Sequence, residues 1–178
     1  RCGEVTPYYL FHPLAAERIA TALPKVKLIV LLRDPVERTL SQYFHSKRLG
    51  LESLELEEAL AAEQQRLADA DAALKRGDAH KSHQQHSYLS RSRYEKQFFC
   101  FEKLFPSEQL MFLRSEDLFD QPQRIWEQVL VFLELDLHPL PRCVSRYAGA
   151  GERAVVTSDQ HQLLRQQLEP TLHWLEQR

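Results

Sequence analysis

Residues 27–46 read KLIVLLRDPVERTLSQYFHS, an apolar run that passes directly into an arginine and then into a proline-started helix. Leu28-Ile29-Val30-Leu31-Leu32 is short, continuously apolar and partly β-branched, which predicts a strand buried on both faces of a parallel sheet. Arg33 then stands at the strand's carboxyl end. Asp34 is a natural N-cap and Pro35 a favoured first helical residue, so a helix is expected through Val36, Leu40, Tyr43 and Phe44 with Ser41 on its second turn. Ligands of open α/β sheets bind beyond the carboxyl ends of the strands, and a fixed guanidinium beside a hydroxyl suits a phosphate. The competing reading is an ordinary ion pair between Arg33 and Asp34 or Glu37, with Ser41 facing solvent.

The string RDPVERTLSQY, from Arg33 to Tyr43, closely resembles the 3'-phosphate-binding motif of sulfotransferases that use 3'-phosphoadenylyl sulfate (PAPS), a group that includes the heparan sulfate sulfotransferases and bacterial relatives. The resemblance implies that Arg33 and Ser41 hold the 3'-phosphate of PAPS. It also implies a three-layer α/β/α fold with a parallel sheet of the P-loop nucleotide-kinase and sulfotransferase type. The glycine-containing 5'-phosphosulfate loop of that family, with its lysine, has no counterpart among the 178 residues, so the fold is expected to be incomplete at its N-terminus.

At this length and with 43% hydrophobic residues, one core and a single domain over residues 1–178 are expected. A net charge of -2 gives no whole-molecule case for nucleic acid or an anionic membrane, so any affinity for anions is local. No apolar run is long enough to cross a bilayer and no opening segment reads as a signal peptide; a soluble, cytoplasmic setting is expected, with the Golgi lumen as the alternative. Cys2, Cys100 and Cys143 lack the paired spacing of a disulfide framework or zinc site.

Pro13 to Pro24 predicts a helix with Leu14, Ile19, Ala22 and Leu23 on one face. From Glu52 to Arg76 the chain is rich in Ala, Leu, Glu and Gln, with Leu60, Leu67 and Leu74 at heptad spacing, and a long amphipathic helix is expected within an insertion over about 50–90. A further helix through Tyr94 and Phe105, a buried strand at Leu110 to Leu113, a capping arrangement at Ser115 and a helix from Gln123 to Leu133 follow. The string LRSEDLFDQP again resembles the family. A loop-like stretch from Asp136 to Val156 precedes a final helix from about Ser158 to Glu176.

The remaining candidates rest on the resemblance. Relatives carry Arg, Ser, a variable residue and Tyr near the nucleotide and acceptor cleft, matched here by Arg91, Ser92 and Tyr94; Tyr94 either contacts the nucleotide or packs in the core. Gln97 stands where some heparan sulfate relatives have a functional histidine, and with Arg91 and Ser92 it is placed on the acceptor side. Gly151 and Arg153 match the family's glycine and basic residue before the last helix, with a surface loop as the other reading. Glu4 is the only nearby carboxylate in an opening motif that resembles the family's, a candidate base or else a structural or acceptor-side residue, and the catalytic machinery is expected mainly upstream of Arg1. Val5 replaces a residue that is lysine or small in many relatives.

His80, His83 and His86 recur every three residues, which could place adjacent imidazoles on one face for a metal or could mark a solvated loop; the family needs no metal. The expected activity is therefore transfer of a sulfuryl group from PAPS to a hydroxyl or amine of a carbohydrate or small metabolite. A non-catalytic nucleotide-binding remnant or a partner-binding module using the Leu60 to Leu74 helix are the alternatives.

Overall fold

A computed structural model describes residues 2–141 and 156–178. Two strands, β1 (Leu28–Leu32) and β2 (Leu110–Arg114), pair in parallel, with Leu28 opposite Leu110 and Leu32 opposite Arg114. Helix α1 (Ala15–Ala22) precedes β1, and the crossover to β2 carries α2 (Pro35–Arg48), α3 (Leu56–Arg66), α4 (Ala70–Arg76), α5 (Lys81–Gln85), a 3-10 turn at Ser90–Ser92 and α6 (Tyr94–Leu104). After β2 come α7 (Ser115–Asp120), α8 (Pro122–Phe132), α9 (Ser158–Gln167) and α10 (Glu169–Glu176). The chain is thus α/β, mostly helical around a small parallel sheet, as its alternation of apolar runs predicts.

Local chemistry starts and stops these elements where the sequence places the signals. The Asp34 carboxylate accepts the N–H groups of Val36 and Glu37, each over 2.9 Å, and Pro35 fills the first helical position of α2. Gly77 ends α4 at φ +90°, a left-handed conformation that a side chain would strain. Thr157 and Gln160 cap α9 reciprocally.

Three apolar clusters hold the helices to the sheet. Leu28 and Leu110 meet Ile19 of α1 and Phe101 and Phe105 at the end of α6. Leu32, Val30 and Phe112 meet Tyr94 and Phe98 of α6 and Trp174 of α10, whose ring stacks on Phe98 at 5.1 Å. The third cluster lies off the sheet, where Val36, Leu40 and Tyr43 of α2 pack with Leu56, Ala59 and Leu60 of α3, Tyr88, Leu89, and Leu164 and Leu168 of the last helices.

Four expectations are corrected. The strand β1 is not buried on both faces: Leu32 is 5% exposed, but Ile29 and Leu31, on the other face, are 39% and 51% exposed. Among the described residues the helices of the apolar clusters cover only the face of Leu28, Val30 and Leu32. The stretch from Glu52 to Arg76 is two helices, because the chain turns at Leu67–Asp69, where the Asp69 carboxylate meets His80 at 3.0 Å. The last helix breaks at Leu168, and Pro170, which has no N–H to donate, sits in the first turn of α10. Ser115 makes no side-chain cap; it is the first residue inside α7, and Arg114 holds the cap position.

Candidate functional site

Four contacts fix the carboxyl end of β1. The Asp34 side chain caps α2, the Asp34 N–H donates to the Glu116 carboxylate at the start of α7 over 3.2 Å, and the Tyr94 phenol donates to the Arg33 carbonyl over 3.1 Å. Arg33 Nη2 lies 3.2 Å from Glu37 Oε2, one helical turn on. Burial alone would raise the Glu116 carboxyl, but the backbone N–H groups it accepts hold it below its usual range. Both strand ends are thereby tied together by a carboxylate.

Beside this junction lies a cleft of about 200 Å³ lined by Pro7, Leu10, Leu31, Leu32, Arg33, Arg38, Arg91, Tyr94 and Gln97. Three arginines are among its lining residues, and no Asp, Glu or His is. Arg33 stands at the boundary between the cleft and the outer face of α2. Arg33 precedes the N-cap of α2; Glu37, which it meets, lies one helical turn before Ser41, whose side chain is exposed. His161 of α9 approaches Glu37 on the same face at 3.9 Å. Both parts of the competing reading are present, the Arg33–Glu37 ion pair and an exposed Ser41.

Arg38 was not singled out in the sequence, yet it is the most enclosed cation of the cleft. Its Nη1 donates to the Tyr88 carbonyl over 2.8 Å and to Ser92 Oγ over 2.9 Å, and its Nη2 donates to Gln42. Burial pulls its pKa down to about 10, so it stays a cation at neutral pH. The same enclosure absorbs Ser92. That hydroxyl is fully buried and meets Thr39 Oγ1 at 2.7 Å, so it braces the Arg38 side chain from within and does not face the cleft. The signal that could have found Arg38 was its place one residue after Glu37, on the turned-in side of α2.

Tyr94 belongs to the core cluster of Leu32 and Phe98 and also lines the cleft. Burial raises its phenol to about 12. Gln97 Nε2 donates to the carbonyls of Arg91 and Arg93 over 3.0 Å and 3.2 Å, fixing the 3-10 turn that carries Arg91. The Arg91 guanidinium lies over the Tyr8 ring at 5.5 Å, and burial lowers its pKa. Glu4 lies outside the lining residues; it is exposed and accepts hydrogen bonds from Tyr9 over 2.7 Å and Thr6 over 2.9 Å, which lower its pKa. Val5 is 90% exposed. Gly151 and Arg153 lie outside the described residues.

The helical insertion supports this cleft from behind. Glu63 of α3 is buried and accepts the N–H groups of Leu89 and Ser90, each over 2.8 Å, together with the Ser90 hydroxyl. Glu52 is also buried, between Arg66, the Tyr88 phenol at 2.8 Å and the Leu54 N–H at 3.0 Å. Both carboxylates grip the segment that delivers Arg91 and the Tyr88 carbonyl. The three histidines take separate partners: His80 Nε2 meets Asp69 at 3.0 Å, His83 Nδ1 meets the Tyr8 phenol at 2.5 Å, and His86 Nε2 meets the Leu51 carbonyl at 3.0 Å. Among the described residues no group of three or more His, Cys, Asp or Glu is placed to hold a metal ion.

The chain belongs to the sulfotransferase domain family, whose model matches residues 10–150. Its fold is similar to that of the crystal structure of a sulfotransferase from Alicyclobacillus acidocaldarius, with a TM-score of 0.63 and 23% identity over 93% of this chain. A stretch of 44 residues, 25% of this chain, is 59% identical to the membrane-associated sulfotransferase kil1 of Dictyostelium discoideum. The chain spans 62% of the length of the bacterial structure and 9% of the Dictyostelium protein.

Proposed function

We propose that this chain binds PAPS and serves transfer of its sulfuryl group to a hydroxyl or amine of an acceptor. The observation that supports the reading is the position of Arg33 at the carboxyl end of β1, where it lines a cleft together with Arg38 and Arg91, with Ser41 exposed two turns into the helix that follows. Arg33 supplies a forked donor and Ser41 a hydroxyl for the 3'-phosphate, while Asp34, Glu116 and Tyr94 hold the Arg33 backbone in place. Arg91 and Gln97 take the acceptor side, Gln97 by holding the turn and Arg91 by facing the cleft. Ser92 acts through Arg38 rather than on a ligand. When bound, PAPS supplies the activated sulfuryl group, and no metal is needed for its transfer.

Calorimetry with 3'-phosphoadenosine 5'-phosphate tests the site. Arg33→Ala removes a charge-assisted contact of about 1.5–3 kcal/mol, so affinity falls by more than about tenfold. Equal binding of 5'-AMP would reject the role in 3'-phosphate recognition. No binding by the folded wild-type chain would reject the nucleotide site.

A second reading, nucleotide binding without turnover, is favoured by the absence of any carboxylate or imidazole from the cleft lining among the described residues. Following release of 3'-phosphoadenosine 5'-phosphate from PAPS in the presence of hydroxyl acceptors separates the two. Binding without release supports the second. The compartment in which the protein works is not part of either reading; among the described residues no helix is long and apolar enough to cross a membrane.

A further inference from the structure

Arg91 is the guanidinium of the cleft for which no hydrogen-bond acceptor is found among the described residues. Arg33 faces the Glu37 carboxylate, and Arg38 spends its N–H groups on the Tyr88 carbonyl, Ser92 and Gln42. Arg91 is half-buried, and among the described residues no acceptor receives a hydrogen bond from it; the Tyr8 ring beneath it is its recorded contact. A desolvated guanidinium with unused donors is costly unless an anion meets it, because each unmade bond forfeits hydration without replacement.

The surroundings keep that side chain aimed. Gln97 and Glu63 fix the turn on either side of Arg91, and Tyr8 is itself fastened by its hydrogen bond to His83, whose ring stacks on Phe11 at 4.2 Å. The neighbouring lining is apolar: Pro7, Leu10, Leu31 and Leu32. A ligand that satisfies both halves has a compact apolar or flat body and one negative group, and the planar fork of arginine suits a carboxylate in particular.

We infer that Arg91, backed by Tyr8, is an anion subsite on the acceptor side of the cleft, and that the acceptor carries a carboxylate near the hydroxyl or amine to be modified. The inference rests on the reading that Arg33 and Ser41 hold the nucleotide, which leaves Arg91 for the second substrate. No atom of the transfer itself passes through Arg91; it orients the acceptor.

The test compares two isosteric probes, 4-hydroxybenzoate and 4-hydroxybenzamide, titrated calorimetrically into the chain with and without 3'-phosphoadenosine 5'-phosphate. The anion is expected to bind about tenfold more tightly than the amide, as a charge-assisted contact implies. Arg91→Gln abolishes that preference while leaving the affinity for 3'-phosphoadenosine 5'-phosphate unchanged, and Arg91→Lys retains part of it. Equal or undetectable binding of both probes by the wild-type chain overturns the inference. So does an Arg91→Gln variant that loses nucleotide affinity as much as probe affinity, since Arg91 would then belong to the nucleotide. If 3'-phosphoadenosine 5'-phosphate fails to bind but the Arg91-dependent preference is measured, the nucleotide reading falls and the anion subsite stands.

Discussion

The Tyr94 phenol donates a hydrogen bond to the main-chain carbonyl of Arg33 over 3.1 Å, so a buried residue of α6 holds the backbone of a residue that lines the cleft. Tyr94 packs with Leu32 and Phe98 and also lines the cleft. Packing and positioning are therefore one role for this residue. Tyr94→Phe keeps the ring contacts and leaves the carbonyl unpaired. Equilibrium unfolding should show a loss of about 1 kcal/mol, with weaker binding of 3'-phosphoadenosine 5'-phosphate in calorimetry. Unchanged affinity in the destabilised variant would show that the strand end is held well enough by the Asp34 contacts alone.

Glu37 occupies the donor that a phosphate would use on Arg33, at 3.2 Å, and its own charge opposes a phosphate. Both side chains are about one-third exposed, so the pair contributes little to stability, roughly 0.2–1 kcal/mol. Glu37→Gln keeps the shape and removes the charge, and should tighten nucleotide binding by about two- to fivefold, most visibly at low salt. Weaker binding would mean that Glu37 serves to orient Arg33 rather than to compete for it.

What was legible in the sequence was local. The Asp34 cap and Pro35 at the first helical position act within one strand-to-helix junction, and the structure keeps them there. What was not legible depends on partners far along the chain. Glu52 and Glu63 carry no signal of their own in a stretch rich in Ala, Leu, Glu and Gln, but they meet Tyr88, Leu89 and Ser90, 26 to 36 residues on. Heptad spacing of Leu60, Leu67 and Leu74 survives a short turn, so the break between α3 and α4 leaves no mark on the periodicity. The exposed face of Ile29 and Leu31 is equally silent, because a continuous apolar run says nothing of what covers it.

Acid should unfold the protein in two stages. Burial, reinforced by His12, His80 and Arg91, holds His83 down at about 4 against an ordinary 6.5, so the unfolded chain takes up this proton first. Its contribution is complete above pH 6.5 and is lost as pH falls towards 4. Burial pushes Glu52 up, but Arg66, the Leu54 N–H and Tyr88 outweigh it and hold the carboxyl at about 2 against 4.5. That contribution is present above pH 4.5 and disappears as pH falls towards 2. Each stage has an upper limit on the order of 3 kcal/mol. His83→Asn, which still offers Tyr8 an acceptor, should flatten the stability curve between pH 6.5 and 4 and leave the lower stage intact; an unaltered upper stage would assign it to another group.

Glu63 links the insertion to the cleft most directly, because its buried carboxylate takes two backbone N–H groups at 2.8 Å immediately before Arg91. Glu63→Leu fills the volume but strands both donors, at a cost of roughly 2–5 kcal/mol in unfolding free energy. Glu63→Gln retains one carbonyl oxygen and should lose less than half of that. Its more telling readout is binding: with the turn loosened, discrimination between 4-hydroxybenzoate and 4-hydroxybenzamide should shrink under conditions where the variant is still folded, while the affinity for 3'-phosphoadenosine 5'-phosphate, proposed to rest on Arg33 and Ser41, stays within about twofold. Parallel losses of both affinities would instead make Glu63 a general support of the fold, with no particular hold on Arg91.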